Sequence, residues 1–568
     1  MTRLDRLRKG YRPVSVTLGL CLLVACAVWL RAQLSPPQKP MPALMPAGAL
    51  IYLEAGDFGS LLTRWNASAE KRAWLTSANY SVVSRSRLLG RLQQAQSEFE
   101  TAAGISPQMS LLTQVAGKES AFAFYDLGNL KFVYLTKLSS GQLDANELWK
   151  RRPSYQQREV AGTPFYEKTE AERTVAFASK DDYFVIATDD NLMAQTLALL
   201  AGQQAPSLAG EPWFKDITTP VTSQGSLRLV YNMEQLVSKP QFRTYWIQQT
   251  VTEMKQYRAG ICDLFETANS FTEKRLLLRK TAVTAASDEL AIQHLLVYTP
   301  DQSSFYRAWA DPTRDQLSQA FIETVAGEKV GAVQAYEMAP DVTLNADKIG
   351  SASDLETRID ELPAKRGTLP SLDPAIDAIL ALKPSAALQI QGTTEANDHV
   401  FVVPQSTLLL SFAKPDQAAL EAALIPVQRA LALSGTIGWQ QTAGTADWGP
   451  LDPLHVREAA GMLILSRGPS LADPNPPKKL KSTPLPLTYA AGYSHAVAWP
   501  QYKKLFGVLD QPRLGATPDQ PAGDGLIPPF FSGNIRSLGD TLQRLQQIRL
   551  TSRESGETLA EEVVYQLR

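Results

Sequence analysis

The chain has 568 residues, 44% hydrophobic and 20% charged, which is ordinary globular composition and length enough for roughly two to four domains with their own cores. With 56 basic against 57 acidic residues and a net charge of −1, it has no basic stripe to track phosphates, so nucleic acid is not an expected partner. Two of the three cysteines, Cys21 and Cys26, fall in a hydrophobic N-terminal run, which leaves Cys262 alone in the body with no intramolecular disulfide to close.

Residues 1–13 carry Arg3, Arg6, Arg8, Lys9 and Arg12 against a single Asp5 and read as a basic cytoplasmic tail. Residues 14–30, VSVTLGLCLLVACAVWL, hold no charge. At ~1.5 Å per residue this run spans about 26 Å, just short of a hydrocarbon core. It is expected to be a transmembrane signal anchor in the inner membrane, with Trp29 at the far interface and the body in the periplasm. Two processing readings compete. Leu23-Val24-Ala25-Cys26 resembles a lipobox with Cys26 acylated, and Ala25-Cys26-Ala27 offers a small-x-small cleavage site. The apolar residues after Cys26 favour the retained anchor. Residues 31–46 follow as a proline-rich linker, stiff and extended, with Pro36, Pro37, Pro40, Pro42 and Pro46.

The body reads as an α+β fold of two tandem, similar halves, 47–312 and 313–568, each with antiparallel strands and helices. A strand at Ala49–Glu54 leads into Phe58–Trp65, and Gly331–Glu337 is its expected repeat. An amphipathic helix carrying Leu88, Leu92, Ala95 and Phe99 is matched by Leu355, Ile359 and Leu362. Ser120–Tyr125 matches Ser385–Ile390. Phe132–Lys137 and a helix over Asp144–Lys150 match Thr407–Phe412 and Pro415–Leu420, with Asp144 and Asp416 as helix caps. Tyr183–Thr188 followed by Asn191–Leu197 matches Met462–Ser466 followed by Ser470-Leu471. Leu227–Tyr231 matches Tyr489–Tyr493. Each half is expected to close on paired strands, Arg275–Ala285 with Leu290–Tyr298, and Gln546–Ser552 with Thr558–Leu567. In detail Tyr231 should meet Tyr493, Val185 Leu463, and Tyr134 Leu409. Thr244–Arg258 reads as a helix in the first half, and Asp510–Phe531, with its prolines and glycines, as a long loop in the second. Ala472–Pro486 is a second such loop.

No convergent chemistry stands out. The four histidines, His294, His399, His455 and His495, are not at ligand spacing, and no zinc, phosphate-loop or dinucleotide motif occurs. No metal or cofactor is expected. The doublets Asp181-Asp182 and Asp189-Asp190 lack the central glycine of a calcium loop and read as solvated strand ends. Gly492-Tyr493-Ser494-His495-Ala496 resembles a degenerate nucleophile elbow, making Ser494 the one weak catalytic candidate. Its last position is alanine, no histidine follows, and the matching residues in the first half are Asn232 and Met233. Trp65, Trp74, Tyr80, Phe530 and Phe531 lie in or near expected loops, with Phe530 and Phe531 candidates for a partner contact.

The run Met45-Pro46-Ala47-Gly48-Ala49-Leu50-Ile51-Tyr52-Leu53-Glu54, placed after an anchor and a proline linker, resembles bacterial inner-membrane and periplasmic envelope proteins of unknown function, of the kind encoded beside alpha-2-macroglobulin homologues. That resemblance implies an envelope context and an envelope-protein partner, and it carries over no catalytic residue. The expected function is therefore non-enzymatic binding or scaffolding. The rivals are a periplasmic serine hydrolase centred on Ser494 and an envelope protein that captures an apolar ligand between its halves.

Overall fold

A computed structural model describes residues 39–568 except 85–86, 171–172, 244–247, 285–287, 289, 301–302, 327–372, 396–401, 434–438, 443–444, 449–453, 468–469, 473–485, 510–538 and 540. The anchor 14–30 with Cys26, the strand at Gly331–Glu337, the helix at Leu355–Leu362, most of the two proline-rich loops, and Phe530 and Phe531 lie outside the described residues. Among the described residues no helix is long and apolar enough to cross a membrane.

The fold is α+β, built on a large antiparallel sheet. Its first strands are β1 (Ile51–Ala55), β2 (Ser120–Asp126), β3 (Lys131–Lys137), β4 (Gln156–Val160), β5 (Thr163–Glu170), β6 (Arg173–Lys180), β7 (Tyr183–Ala187), β8 (Leu227–Tyr231), β9 (Tyr257–Glu266) and β10 (Ser270–Val283). They pair in the order β4-β5-β6-β7-β3-β2-β1-β8-β9-β10. The rest are β11 (Phe305–Ala310), β12 (Pro384–Glu395), β13 (Val402–Phe412), β14 (Trp439–Thr442), β15 (Thr445–Trp448), β16 (Leu454–Ala459), β17 (Met462–Arg467), β18 (Tyr489–Ser494) and β19 (Leu545–Leu567). These run β19-β18-β11-β12-β13-β17-β16-β15-β14, and β19 also pairs with β10, joining the two stretches of sheet.

The last strand folds back on itself. Ser552 Oγ donates to Glu561 at 3.2 Å and the Arg568 N–H donates to the Arg544 carbonyl at 2.8 Å. In a straight strand Ser552 and Glu561 would be about 30 Å apart. Gly556, at φ 58°, supplies the left-handed residue at the turn. One limb pairs with β18 from Gln547 to Ser552, and the other pairs with β10 from Gly556 to Gln566.

Both faces of each stretch are covered, which explains apolar runs such as Thr407-Leu408-Leu409-Leu410 that do not alternate with polar residues. In the first stretch Tyr52, Ala121, Val133, Leu135, Val185 and Val230 share one face with Met41, Leu44 and the helix Asp190–Leu200. Phe177, Phe184 and Ile186 point the other way, under the helices Arg87–Ala103 and Met109–Val115. In the second, Trp309, Leu408, Leu410, Leu463 and Leu465 meet the helices Arg314–Ala326 and Asp373–Ala381. Ala308, Leu388, Leu409 and Ile464 meet the helix Ala291–Leu296 on the opposite face.

Several local expectations are corrected. Leu290–Tyr298 is not a strand, because Ala291, Ile292 and Leu295 at helical spacing bury one face of the helix Ala291–Leu296. The partner of β10 on that side is β9. The helix expected over Thr244–Arg258 ends by Met254, since Tyr257 and Arg258 already belong to β9, while residues 244–247 lie outside the described residues. Asp144 caps nothing: Ser139 and Asn146 cap the two short helices around it. Asp416 does cap, accepting from the Ala418 and Ala419 N–H groups at 3.0 and 3.2 Å. Ser470 and Leu471 are not helical. β11 went unread, its apolar pattern broken by Arg307.

Candidate functional site

An apolar cleft of about 460 Å³ opens on the first stretch of sheet. Its floor comes from alternate positions of neighbouring strands: Leu53 and Ala55 of β1, Ser120 and Phe122 of β2, Phe132 and Tyr134 of β3, Ile186 of β7 and Leu227 of β8. Their in-between neighbours Tyr52, Ala121, Val133, Leu135 and Val185 fill the core on the far side of the sheet. The roof is the helix Arg87–Ala103, which presents Leu92, Ala95, Gln96 and Phe99, one face at i, i+3, i+4 and i+7. Leu111, Leu112 and Val115 of the next helix close one side.

The roof helix is fixed at one end. Ala102 and Ala103 are fully buried, and Tyr155 Oη donates to the Ala103 carbonyl at 2.7 Å. Arg173 pairs with Glu98 at 2.6 Å, and Arg91 donates to the Gly128 carbonyl at 3.1 Å. Towards the other end Leu92 is 51% exposed, and Leu112 across the mouth is 37% exposed. Apolar residues thus form the rim as well as the interior.

Polar atoms inside the cleft are already engaged. Tyr134 Oη donates to the Val115 carbonyl at 2.6 Å, and burial pushes its pKa up. Ser120 Oγ sits 2.7 Å from Thr136 Oγ1, which also accepts from the Gly117 N–H. Glu54 borders the cleft, but its carboxylate accepts from Tyr52 Oη at 2.8 Å, and Tyr52 is buried in the core behind the sheet. The rings of Phe122 and Phe132 lie 5.0 Å apart, and those of Phe122 and Phe124 lie 4.9 Å apart. The interior offers aromatic and aliphatic surface with no free charge, which suits an alkyl chain or another apolar group. Phe122 and Phe124, with Phe132 across the hairpin, stack aromatic rings on one face of β2–β3, a signal that the sequence reading passed over.

The expected residues lie elsewhere. Ser494 ends β18, where its N–H donates to the Ser304 carbonyl at 2.9 Å. His495, 3% exposed, starts the next helix, with Nδ1 3.3 Å from Tyr493 Oη and Nε2 3.0 Å from the Gly539 carbonyl. Its ring stacks on Trp499 at 5.6 Å, so the imidazole ties this turn to Gly539. Asp189 is more than a solvated strand end. It caps the helix Asp190–Leu200 through the Leu192 N–H and pairs with Lys131 at 2.6 Å. Trp65, Trp74 and Tyr80 sit in helices rather than loops: Trp65 is 45% exposed, while Trp74 and Tyr80 meet edge to face at 6.1 Å.

A second cavity, about 490 Å³, lies where β10 meets β19. It is polar, lined by Arg279, Ser552, Glu554 and Glu561 among others. Arg279 is paired with Glu554, and Glu561 with Arg275 at 3.6 Å. Of the two cavities, the apolar one lies within the first stretch of sheet and the one at the β10–β19 junction is polar.

No family model and no curated protein matches the chain. Among solved structures, three crystal forms of TP0453 are similar in part. Form I shares 13% identity over 44% of this chain and 82% of that one, with a TM-score of 0.25. Form IV shares 13% over 42% and 79% at 0.23, and form III shares 12% over 46% and 87% at 0.24. Scores this low carry no argument about what the chain does.

Proposed function

We propose that this chain is a non-catalytic, membrane-tethered envelope protein whose apolar cleft holds an alkyl chain presented by a lipid or a lipid-modified envelope partner. The observation that carries this reading is the cleft itself: eight floor positions on five strands converge on one water-open, largely apolar space, with the carboxylate of Glu54 at its border engaged by Tyr52. Residues 14–30 would anchor the body in the inner membrane with the body in the periplasm. An alkaline phosphatase fused at the C-terminus should then be active, and a dark fusion would remove the compartment. Acyl label that depends on Cys26 would instead favour the lipoprotein form. Native mass spectrometry of protein released gently from envelopes should reveal bound lipid mass, displaced by added palmitate. Protein that emerges apo and takes up no palmitate would overturn the reading.

The tandem halves belong to the same proposal. Reading outward from the β10–β19 pair, one side runs β10, β9, β8, β1, β2, β3, β7, β6, β5, β4. The other runs through the two limbs of β19, then β18, β11, β12, β13, β17, β16, β15, β14. Equal order and antiparallel sense on both sides support a duplication, with β11 and not Gly331–Glu337 as the counterpart of β1. The cross-strand registers then set Tyr231 on Tyr493, as the sequence matching did. They carry Tyr134 to Leu408 and Val185 to Ile464, one residue from that matching.

The hydrolase reading keeps one test. Fluorophosphonate labelling lost in Ser494→Ala would overturn the non-catalytic assignment.

A further inference from the structure

Among the described residues nine large hydrophobic side chains are exposed, and six of them are Trp65, Leu75, Val83, Leu92, Met109 and Leu112. All six belong to the five helices between β1 and β2: Phe58–Ala67, Ala69–Thr76, Ala78–Val83, Arg87–Ala103 and Met109–Val115. Residues 58–115 are about a tenth of the chain and carry two thirds of this exposed apolar set. The same segment is basic. From Phe58 to Ser97 the sequence holds Arg64, Lys71, Arg72, Arg85, Arg87 and Arg91 against Glu70 alone, in a chain of net charge −1. Glu70 is itself paired with Arg544. The remaining acids, Asp57, Glu98 and Glu100, flank this stretch; Asp57 caps the first helix through the Ser60 N–H, and Glu98 is held by Arg173. Arg64 and Arg91 have acid partners, Glu266 at 2.7 Å and Glu98 at 3.4 Å, whereas Lys71 and Arg72 stand one turn before the exposed Leu75.

We infer that this helical segment docks on an anionic phospholipid surface, with its apolar side chains among the upper ends of the acyl chains and its basic ones at the phosphates. Apolar side chains concentrated in one segment gain free energy when a surface covers them. Tryptophan and leucine beside lysine and arginine is the composition that sits at the boundary between head groups and chains. An anionic leaflet attracts each basic side chain near it without needing a matched acidic partner. The segment also borders the apolar cleft, which Phe58, Leu92 and Leu112 of three of these helices line. On the alkyl-chain reading above, on which only the source of the ligand rests, the chain in the cleft then comes from a lipid of that surface and not from a lipid-modified protein.

The test uses the full chain held by its hydrophobic N-terminal segment in phosphatidylcholine nanodiscs, mixed with vesicles of phosphatidylglycerol or phosphatidylcholine and separated by flotation. Wild type should float with phosphatidylglycerol at least about tenfold better than with phosphatidylcholine, and about 0.5 M salt should remove most of the difference. Lys71→Glu with Arg72→Glu, and separately Trp65→Ser with Leu75→Ser, should each lower flotation about tenfold or more, while Arg72→Lys floats as wild type does. Trp65, Arg72 and Leu75 are exposed, so melting temperatures should stay within a few degrees of wild type. If a double variant unfolds, Arg72→Glu alone decides. Equal flotation of wild type with both lipids, or variants that float as wild type does, would overturn the docking. Nanodiscs that pair with one another without vesicles, and lose that pairing in Leu75→Ser, would assign the face to a second copy and overturn it too. Palmitate uptake by the same preparation separates the two readings: docking without uptake keeps this surface and removes the alkyl ligand, and uptake without docking does the reverse.

Discussion

Asp263 sits in β9 directly opposite Arg228 of β8, with its side chain 2% exposed and that of Arg228 13% exposed. The guanidinium grips it with two bonds, Nε to Oδ1 and Nη2 to Oδ2, both 2.8 Å, and among the described residues the other N–H on Oδ1 is the longer one from Gly225 at 3.3 Å. Arg228→Ala would leave a buried carboxylate with one weak bond. That removal costs about 3–5 kcal/mol, chiefly through the uncompensated charge and not the lost attraction. At about 1.4 kcal/mol per tenfold, opening of this part of the sheet becomes roughly a hundredfold to a few thousandfold more frequent. Hydrogen exchange read by mass spectrometry should show this as lost protection in peptides covering β8 and β9, with β16 and β17 unchanged. The double variant Arg228→Met, Asp263→Leu, apolar on both sides, should recover most of the protection. Unchanged exchange at β9 in Arg228→Ala would refute the reasoning that this pair is buried and bidentate.

Gly117→Ala would set a methyl carbon 2.1 Å from the Lys137 carbonyl oxygen and 2.4 Å from Thr136 Oγ1, so backbone must move. A loss of about 1–3 kcal/mol or more is expected in urea unfolding, with the Phe58 wall of the cleft displaced because the Gly59 N–H donates to the Gly117 carbonyl. Acid should loosen the first stretch. Burial alone would push the carboxyls of Asp126 and Asp189 up, but bonds from Asn129 and Gly128 to one, and from Lys131 and Leu192 to the other, hold both below the usual range. A depressed folded pKa means stability that is present above the unfolded value near 4 and lost as pH falls through the folded one. Melting temperature should therefore drop below about pH 4, less steeply in Asp189→Asn; an identical acid profile in that variant would remove Asp189 from the account.

Much of the fold was legible in the sequence because strands bounded by turns leave a local signature. Leu227–Tyr231 and the Asp416 cap were read at their places, and the terminal hairpin was read close to where β19 turns. What failed did so for physical reasons. Thr407–Phe412 and Tyr183–Ala187 are apolar on both faces, so nothing in them fixes which residue faces which side. Ala291–Leu296 is short and flanked by strands, and its helical spacing rests on three residues. The cleft is not legible in the spacing of Leu92, Ala95 and Phe99, which marks only an amphipathic helix. An amphipathic face records that a surface is apolar, and nothing in the spacing records whether protein or ligand covers it.

The measurement that tests the central claim most directly is photo-crosslinking with a palmitate analogue carrying a diazirine near the end of its chain, followed by peptide mapping. The account predicts label concentrated on the peptides holding Leu92, Phe122 and Phe132 and competed by unlabelled palmitate. Label spread over the surface, or concentrated at the β10–β19 junction around Glu554 and Glu561, would contradict it.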